Sequence, residues 1–188
     1  MPIYDDALAL FHEWTKDERL RRHGYAVEAA MEHYARHFDE DVELWRMTGL
    51  LHDMDYERHP SEEEHPYVGV RELEARGYPE VLREAILGHA PYTGTPRTTR
   101  LAKTLFAVDE LAGFITAVAY VRPTRLEGMK VRSVKKKLKD ARFAAGVDRD
   151  HIRQGADELG LPLNEHVANV IAGMQARAER LGLAADAA

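Results

Sequence analysis

Apolar residues along this chain recur at steps of three and four, and strict alternation is nearly absent, so the sequence predicts helices throughout and no sheet. A short helix is expected over about 3–14. Asp17 stands as an N-cap for a long helix reaching about Phe38, with Leu20, Val27, Met31 and Tyr34 on one face. Asp39–Asp41 opens the next helix, through Leu44, Met47 and Leu51, and a loop rich in Pro and Glu, "RHPSEEEHP", follows it. Pro66 suits the first position of a helix running to Gly77. "PEVLREAILGH" predicts another, closed by Gly88, before the polar loop "APYTGTPR". The strongest stripe is Leu101, Leu105, Val108, Ala112, Ile115 and Ala119, in a helix that Pro123 ends. A basic helix (about 130–141) and two C-terminal helices (about 148–159 and 163–182) complete an all-α chain. No internal repeat or long linker interrupts it, so residues 1–188 are expected to form a single domain.

The pattern breaks at "LLHDMDYE", residues 50–57, where a core helix runs into His52, Asp53, Asp55 and Glu57. Ionised carboxylates are costly to bury without partners, so either the acids face water or something positive sits among them. Asp109 raises the same question, four residues after Leu105 beside the best apolar stripe; Lys103 and Arg100 are the ordinary salt-bridge candidates, and a metal ion is the sharper one. His23 lies in phase with Val27, Ala30 and Tyr34, where a histidine bonded to a carbonyl is the commoner outcome.

Composition narrows the chemistry. There are 188 residues and no cysteine, which excludes disulfides and thiolate metal sites. A bound metal would need nitrogen and oxygen donors, favouring Mn, Fe, Mg, Ni or Co over Zn. No apolar run approaches a membrane span, and the N-terminus has no basic leader, so a cytoplasmic location is expected. The net charge of −6 is uneven: residues 97–142 carry 12 Lys+Arg against 4 Asp+Glu. A globally acidic chain is a poor binder of nucleic-acid polymers, whereas a local basic segment suits a small phosphorylated anion. Lys103, Arg122 and Lys135 are the candidate phosphate contacts; three consecutive lysines, 135–137, point three ways on a helix, so most of that run faces solvent. His33 and His37 have a chelating spacing. His37, however, is 14 residues beyond His23, roughly 21 Å along a straight helix, so it cannot join a cluster there. His12, His151 and His166 join no constellation.

The ordered set His23, His52–Asp53, Asp109 resembles the HD superfamily of metal-dependent phosphohydrolases. "LRRHGYAVEAAMEHYA", "LWRMTGLLHDMDYERHP", "EEHPYVGVRELEARGYPE", "EAILGHA" and "KTLFAVDELAGFITAVAYVRP" are similar to successive blocks of one branch, across most of residues 19–123. The resemblance implies a compact helical bundle with a motif-bearing core over about 17–123 and further helices over about 130–182. It implies one metal held by His23, His52, Asp53 and Asp109, and a second through His65 and His89 with Asp53 bridging. His59 precedes a proline as His65 does but lacks the glycine that follows His65 at Gly69, which makes it the weaker candidate. Asp53 and His52 are then the catalytic pair, a metal-bound hydroxide is the nucleophile, and the substrate is a small phosphorylated molecule, a nucleotide first among them. Asp55 and Glu110, beside expected ligands, are the candidate general acids. Two departures bear on metal number and substrate. Members often follow HD with a small residue, Gly and Lys, where this chain has Met54, Asp55 and Tyr56, and some carry a double histidine where Gly88 precedes His89. A di-iron oxygenase on the same fold and a non-catalytic metal- or nucleotide-binding module are the alternatives. Apolar faces on the C-terminal helices would allow a homodimer.

Overall fold

In the computed structural model, residues 2–185 are described. Among them lie nine α-helices, one short 3-10 turn and no strand. The helices are α1 (Tyr4–Trp14), α2 (Glu18–Phe38), α3 (Val42–Leu51), α4 (Tyr67–Ala75), α5 (Glu80–His89), α6 (Arg100–Tyr120), α7 (Val131–Leu138), α8 (Arg149–Glu158) and α9 (Leu163–Ala176). None of the described helices is long and apolar enough to cross a membrane.

Local chemistry sets the starts. Asp17 accepts from the backbone N–H groups of Arg19 (2.7 Å) and Leu20 (3.3 Å) at the head of α2. Asp41 caps α3 through Leu44 N–H at 3.0 Å, and Thr99 caps α6 through Ala102 N–H at 3.1 Å. Each satisfies a donor that a helix start leaves free. Asp39 does not begin α3; it closes α2 in a left-handed conformation (φ 56°).

Other ends differ slightly from the sequence reading. Pro66 precedes α4 instead of opening it. Gly88 does not stop α5, which continues through His89; Arg97 packs so closely that a Cβ on Gly88 would lie 3.0 Å from its Cγ. α7 ends at Leu138, and α9 ends at Ala176 before a series of turns.

The long helices α2 and α6 pack against each other and organise the rest: α3 and α9 lie on α2, while α5 and α8 lie on α6. All six residues of the predicted α6 stripe are buried. One hydrophobic core extends from Ala7 to Leu183. At Gly49 a Cβ would come within 2.9 Å of Met31 and 3.0 Å of the Glu28 backbone, so a glycine is what lets α3 approach α2 and sets the His52 end of one helix beside the His23 end of the other. The acids Glu28 and Glu32 of α2 are buried for an ordinary reason: Arg46 reaches Glu28 at 2.7 Å and Arg177 reaches Glu32 at 2.9 Å.

Candidate metal centre

Five pieces of chain converge on one cavity of about 450 Å³. His23 comes from the first half of α2, and His52 and Asp53 from the end of α3. His65 comes from the loop before α4, His89 from the last residue of α5, and Asp109 from the middle of α6. On α6 the residues facing the cavity are Phe106, Asp109, Glu110 and Gly113, a strip at helical spacing on the side not claimed by the core.

The carboxylate of Asp53 divides the cluster. Its Oδ2 lies 3.3 Å from His52 Nε2 and 3.7 Å from His23 Nε2. Its Oδ1 lies 3.2 Å from His89 Nε2 and 3.4 Å from His65 Nε2. Asp109 Oδ1 completes the first group, 2.9 Å from His23 Nε2 and 3.4 Å from His52 Nε2. The ring centroids of His23–His52, His52–His89 and His65–His89 are 5.2, 5.2 and 5.3 Å apart. Two overlapping sets, His23–His52–Asp109 and His52–Asp53–His89, have donor atoms close enough to share one ion each.

Three of the four histidines have their tautomer dictated from behind. His52 Nδ1–H donates to the Gly49 carbonyl at 2.7 Å, His89 Nδ1–H donates to the Ile86 carbonyl, and His65 Nδ1–H donates to Asp55 Oδ1 at 2.7 Å. A carbonyl or carboxylate can only accept, so each Nδ1 carries the proton and each neutral ring presents a lone pair on Nε2. His52 Nε2 is fully buried with no hydrogen-bond partner, although two carboxylates stand near it. A bare buried imidazole nitrogen between carboxylates fits a divalent cation, and the nitrogen-and-oxygen donor set is compatible with one.

Without a cation the charges compensate one another imperfectly. Burial opposes protonation of His52, but Asp53 and Asp109 outweigh it and raise its pKa well above the usual histidine value. Burial likewise acts against ionised Asp53 and Asp109, and the histidines, His52 foremost, hold both well below the ordinary carboxylate range. Glu110 goes the other way: burial, then Asp109, pushes it up to about 7, outweighing the lowering by the Asp148 N–H and His23.

Asp55 is not a free acid. It is buried, Oδ1 is taken by His65 and Oδ2 accepts the Gly69 N–H at 2.7 Å, so it orients a ring instead of offering a proton. A Cβ at Gly69 would meet the Asp55 carboxylate at 3.0 Å, so any larger residue there presses on the group that holds His65.

Lys103, Arg122 and Lys135 are not brought to the cavity. Lys103 lines an adjoining cleft with Arg97 and Glu158. Arg122 is spent on the turn after α6, donating to the carbonyls of Arg125 and Glu127, both at 2.8 Å. Lys135 lines a separate groove with Arg149 and Arg153. His59 pairs with Glu64 at 3.0 Å, away from the cluster. A larger cleft of about 700 Å³, by residues 126–128 and 175–180, contains none of the cluster residues.

Conversely, Tyr92, Phe106 and His151 line the cavity without any motif in the sequence to mark them. Tyr92 donates from its hydroxyl to the His65 carbonyl at 3.0 Å, and His151 packs on Phe106 with centroids 5.3 Å apart. Aromatic residues at helix and loop positions look like core until tertiary structure opens a space beside them.

Residues 20–113, half of the chain, match the family model described as HD domain. No curated protein and no solved structure matches the chain. The matched segment carries all six cluster residues, while α7, α8 and α9 lie beyond it.

Proposed function

Because the chain belongs to the HD-domain family of metal-dependent phosphohydrolases, we propose that it hydrolyses a phosphate ester or anhydride of a small molecule, a nucleotide being the first class to test. The observation that carries this reading is the division of Asp53, one carboxylate oxygen toward His23 and His52 and the other toward His65 and His89. His23, His52, Asp53 and Asp109 would hold one divalent ion, and Asp53, His65 and His89 a second, with Mn, Fe, Mg, Ni or Co preferred over Zn. When bound, such an ion lowers the pKa of a coordinated water and neutralises charge on phosphoryl oxygens.

The chain's own residues supply the conditions for that chemistry. The Nδ1–H bonds of His52, His65 and His89 fix the direction of those rings and turn Nε2 toward the cluster, so few rotamers are lost on loading. The histidines hold Asp53 and Asp109 below the ordinary carboxylate range, which favours their ionised form and draws cations into the cavity. Asp55 is a positioning residue for His65. Of the two candidate general acids, Glu110 remains, since it lines the cavity while Asp55 has both oxygens taken. The reading has the protein act in the cytoplasm on a dissolved substrate, with no nucleic-acid polymer or membrane as partner, and leaves room for a homodimer.

The test is elemental analysis of purified protein followed by phosphate release from a nucleotide panel with each metal. Asp53→Ala is expected to lose bound metal and several orders of magnitude in turnover while its circular dichroism stays that of the parent. Turnover equal to the parent's would remove the mechanism. The six nitrogen and oxygen donors also suit a pair of irons, the basis of an oxygenase reading; oxygen uptake by iron-loaded protein, beside phosphate release under argon, separates the two.

A further inference from the structure

The cavity lining beyond the metal cluster is rich in rings and poor in positive charge. Tyr56, Pro91, Tyr92, Phe106, Val147 and His151 form much of it. Phe106 and His151 already pack together, tilted at 57°, and Tyr56 stands edge-on to His65 with centroids 5.2 Å apart. Tyr92 is anchored by its hydroxyl, yet the residue is 44% exposed. Among the described residues no Lys or Arg lines the cavity, whose acidic groups are Asp53, Asp109 and Glu110. Of the basic side chains next door, Arg97 is committed. Arg97 grips both oxygens of Glu158 at 2.8 and 2.6 Å, donates to the Gly88 carbonyl at 3.0 Å and covers the Phe106 ring at 3.8 Å. Lys103 shares that adjoining cleft with Glu158.

From this lining we infer that the site selects a single-phosphate ester of a ring-bearing alcohol, the ring seated against Tyr92 and His151, and discriminates against di- and triphosphates. The inference rests on the proposed function in so far as the phosphate is set at the His/Asp cluster. One phosphate can be neutralised there by the ion it meets. Each further phosphate would bring charge against carboxylates and apolar rings with no side-chain cation to meet it, and uncompensated charge is expensive away from water. A planar ring has the opposite fate, since aromatic side chains provide stacking surface that tolerates many ring types. The volume of about 450 Å³ falls in the range of small-molecule pockets.

The experiment uses full-length protein loaded with Mn²⁺ and phosphonate probes, which keep the charged head but have no ester oxygen to cleave. Calorimetric titration compares benzylphosphonate with ethylphosphonate, and the carbon-bridged analogues of adenosine monophosphate and triphosphate with each other, metal being in excess. The ring-bearing probe is expected to bind about tenfold tighter than ethylphosphonate, as one stacked ring would give, and the monophosphate analogue tighter than the triphosphate analogue. His151→Ala and Tyr92→Leu should each bring benzylphosphonate toward ethylphosphonate. Equal binding of the first pair, a triphosphate analogue that binds as well as the monophosphate, or no binding of any probe overturns the inference. Ring preference without phosphate release from the corresponding esters would leave this specificity standing and overturn the hydrolase reading instead.

Discussion

Asp55 and His166 show how differently two buried polar residues can serve the same protein. Asp55 uses both oxygens, one on His65 and one on the Gly69 backbone. Asp55→Ala therefore releases His65 and strands a buried N–H. Metal affinity is expected to fall by about 10–100-fold, concentrated in the half held by His65 and His89, a loss typical of removing a ligand's supporting hydrogen bond. Metal titration should show the bound stoichiometry falling from two toward one, with His23, His52 and Asp109 still loading. His166 is fully buried between the Tyr34 hydroxyl (2.6 Å) and the Ala107 carbonyl (2.8 Å), and burial lowers its pKa to about 4. Below its ordinary value of 6.5 the unfolded chain takes up a proton that the folded chain refuses, so stability falls as pH drops through the window from 6.5 to about 4. This residue alone should account for about 2 kcal/mol between pH 6.5 and about 5. The readout is the difference in urea midpoint between parent and His166→Gln, which should narrow across that window. The metal-ligand candidates were legible because ionisable residues interrupt apolar helices, a conflict that demands a partner. His166 was not, since its partner Tyr34 lies 132 positions away and nothing local points to it. The hold of Asp55 on His65 was not legible, because its other partner is backbone, which has no side-chain signature.

Among the elements, α8 shows how a helix outside the matched segment becomes part of the site. Gly155 seats it on α6 so closely that a Cβ would lie 2.5 Å from Ala107 Cα, and Arg97 with Glu158 fastens its far end. That seating brings His151 onto Phe106 at the cavity. Gly155→Val should cost about 1–3 kcal/mol, the usual penalty of overpacking, because the contact is backbone and cannot yield. The same variant should raise KM for ring-bearing substrates more than it lowers kcat, since it moves a wall and leaves the cluster in place. A melting curve and a two-parameter kinetic comparison check the two halves of that statement. The helices themselves were readable from spacing and caps, Asp17 and Asp41 especially. Their ends were readable only where the terminator acts locally, as Gly77 does with φ 78°. Gly88 carries the same residue type but serves the close approach of Arg97, a tertiary demand that no local pattern encodes.

For the molecule as a whole, the cluster couples ion binding to folding, since its six residues come from three helices, the turn that follows α3 and a loop, and are gathered only in the native state. Adding Mn²⁺ at about a hundred times its Kd should stabilise the protein by about 2.7 kcal/mol for one site. Differential scanning calorimetry should show the melting temperature rising with metal and falling with chelator, and Asp53→Ala should abolish the response. The charge asymmetry was visible in the sequence, but its use was not. Arg97 and Arg100 pair with Glu158 and Glu40, and Arg122 ties a turn, so much of the basic segment stitches α6 to its neighbours. Position along the chain cannot reveal this, because Glu40 and Glu158 are distant in sequence.

The order in which the cavity is assembled has its own consequence. Every residue that would grip a cation has been synthesised by position 109, whereas Val147 and His151 arrive with the C-terminal helices. Ion capture is thus written wholly in the earlier stretch of gene, while part of the wall that selects among organic groups is written in the later one. Variation in the later stretch can retune which molecules are admitted while the inherited chemistry upstream stays untouched.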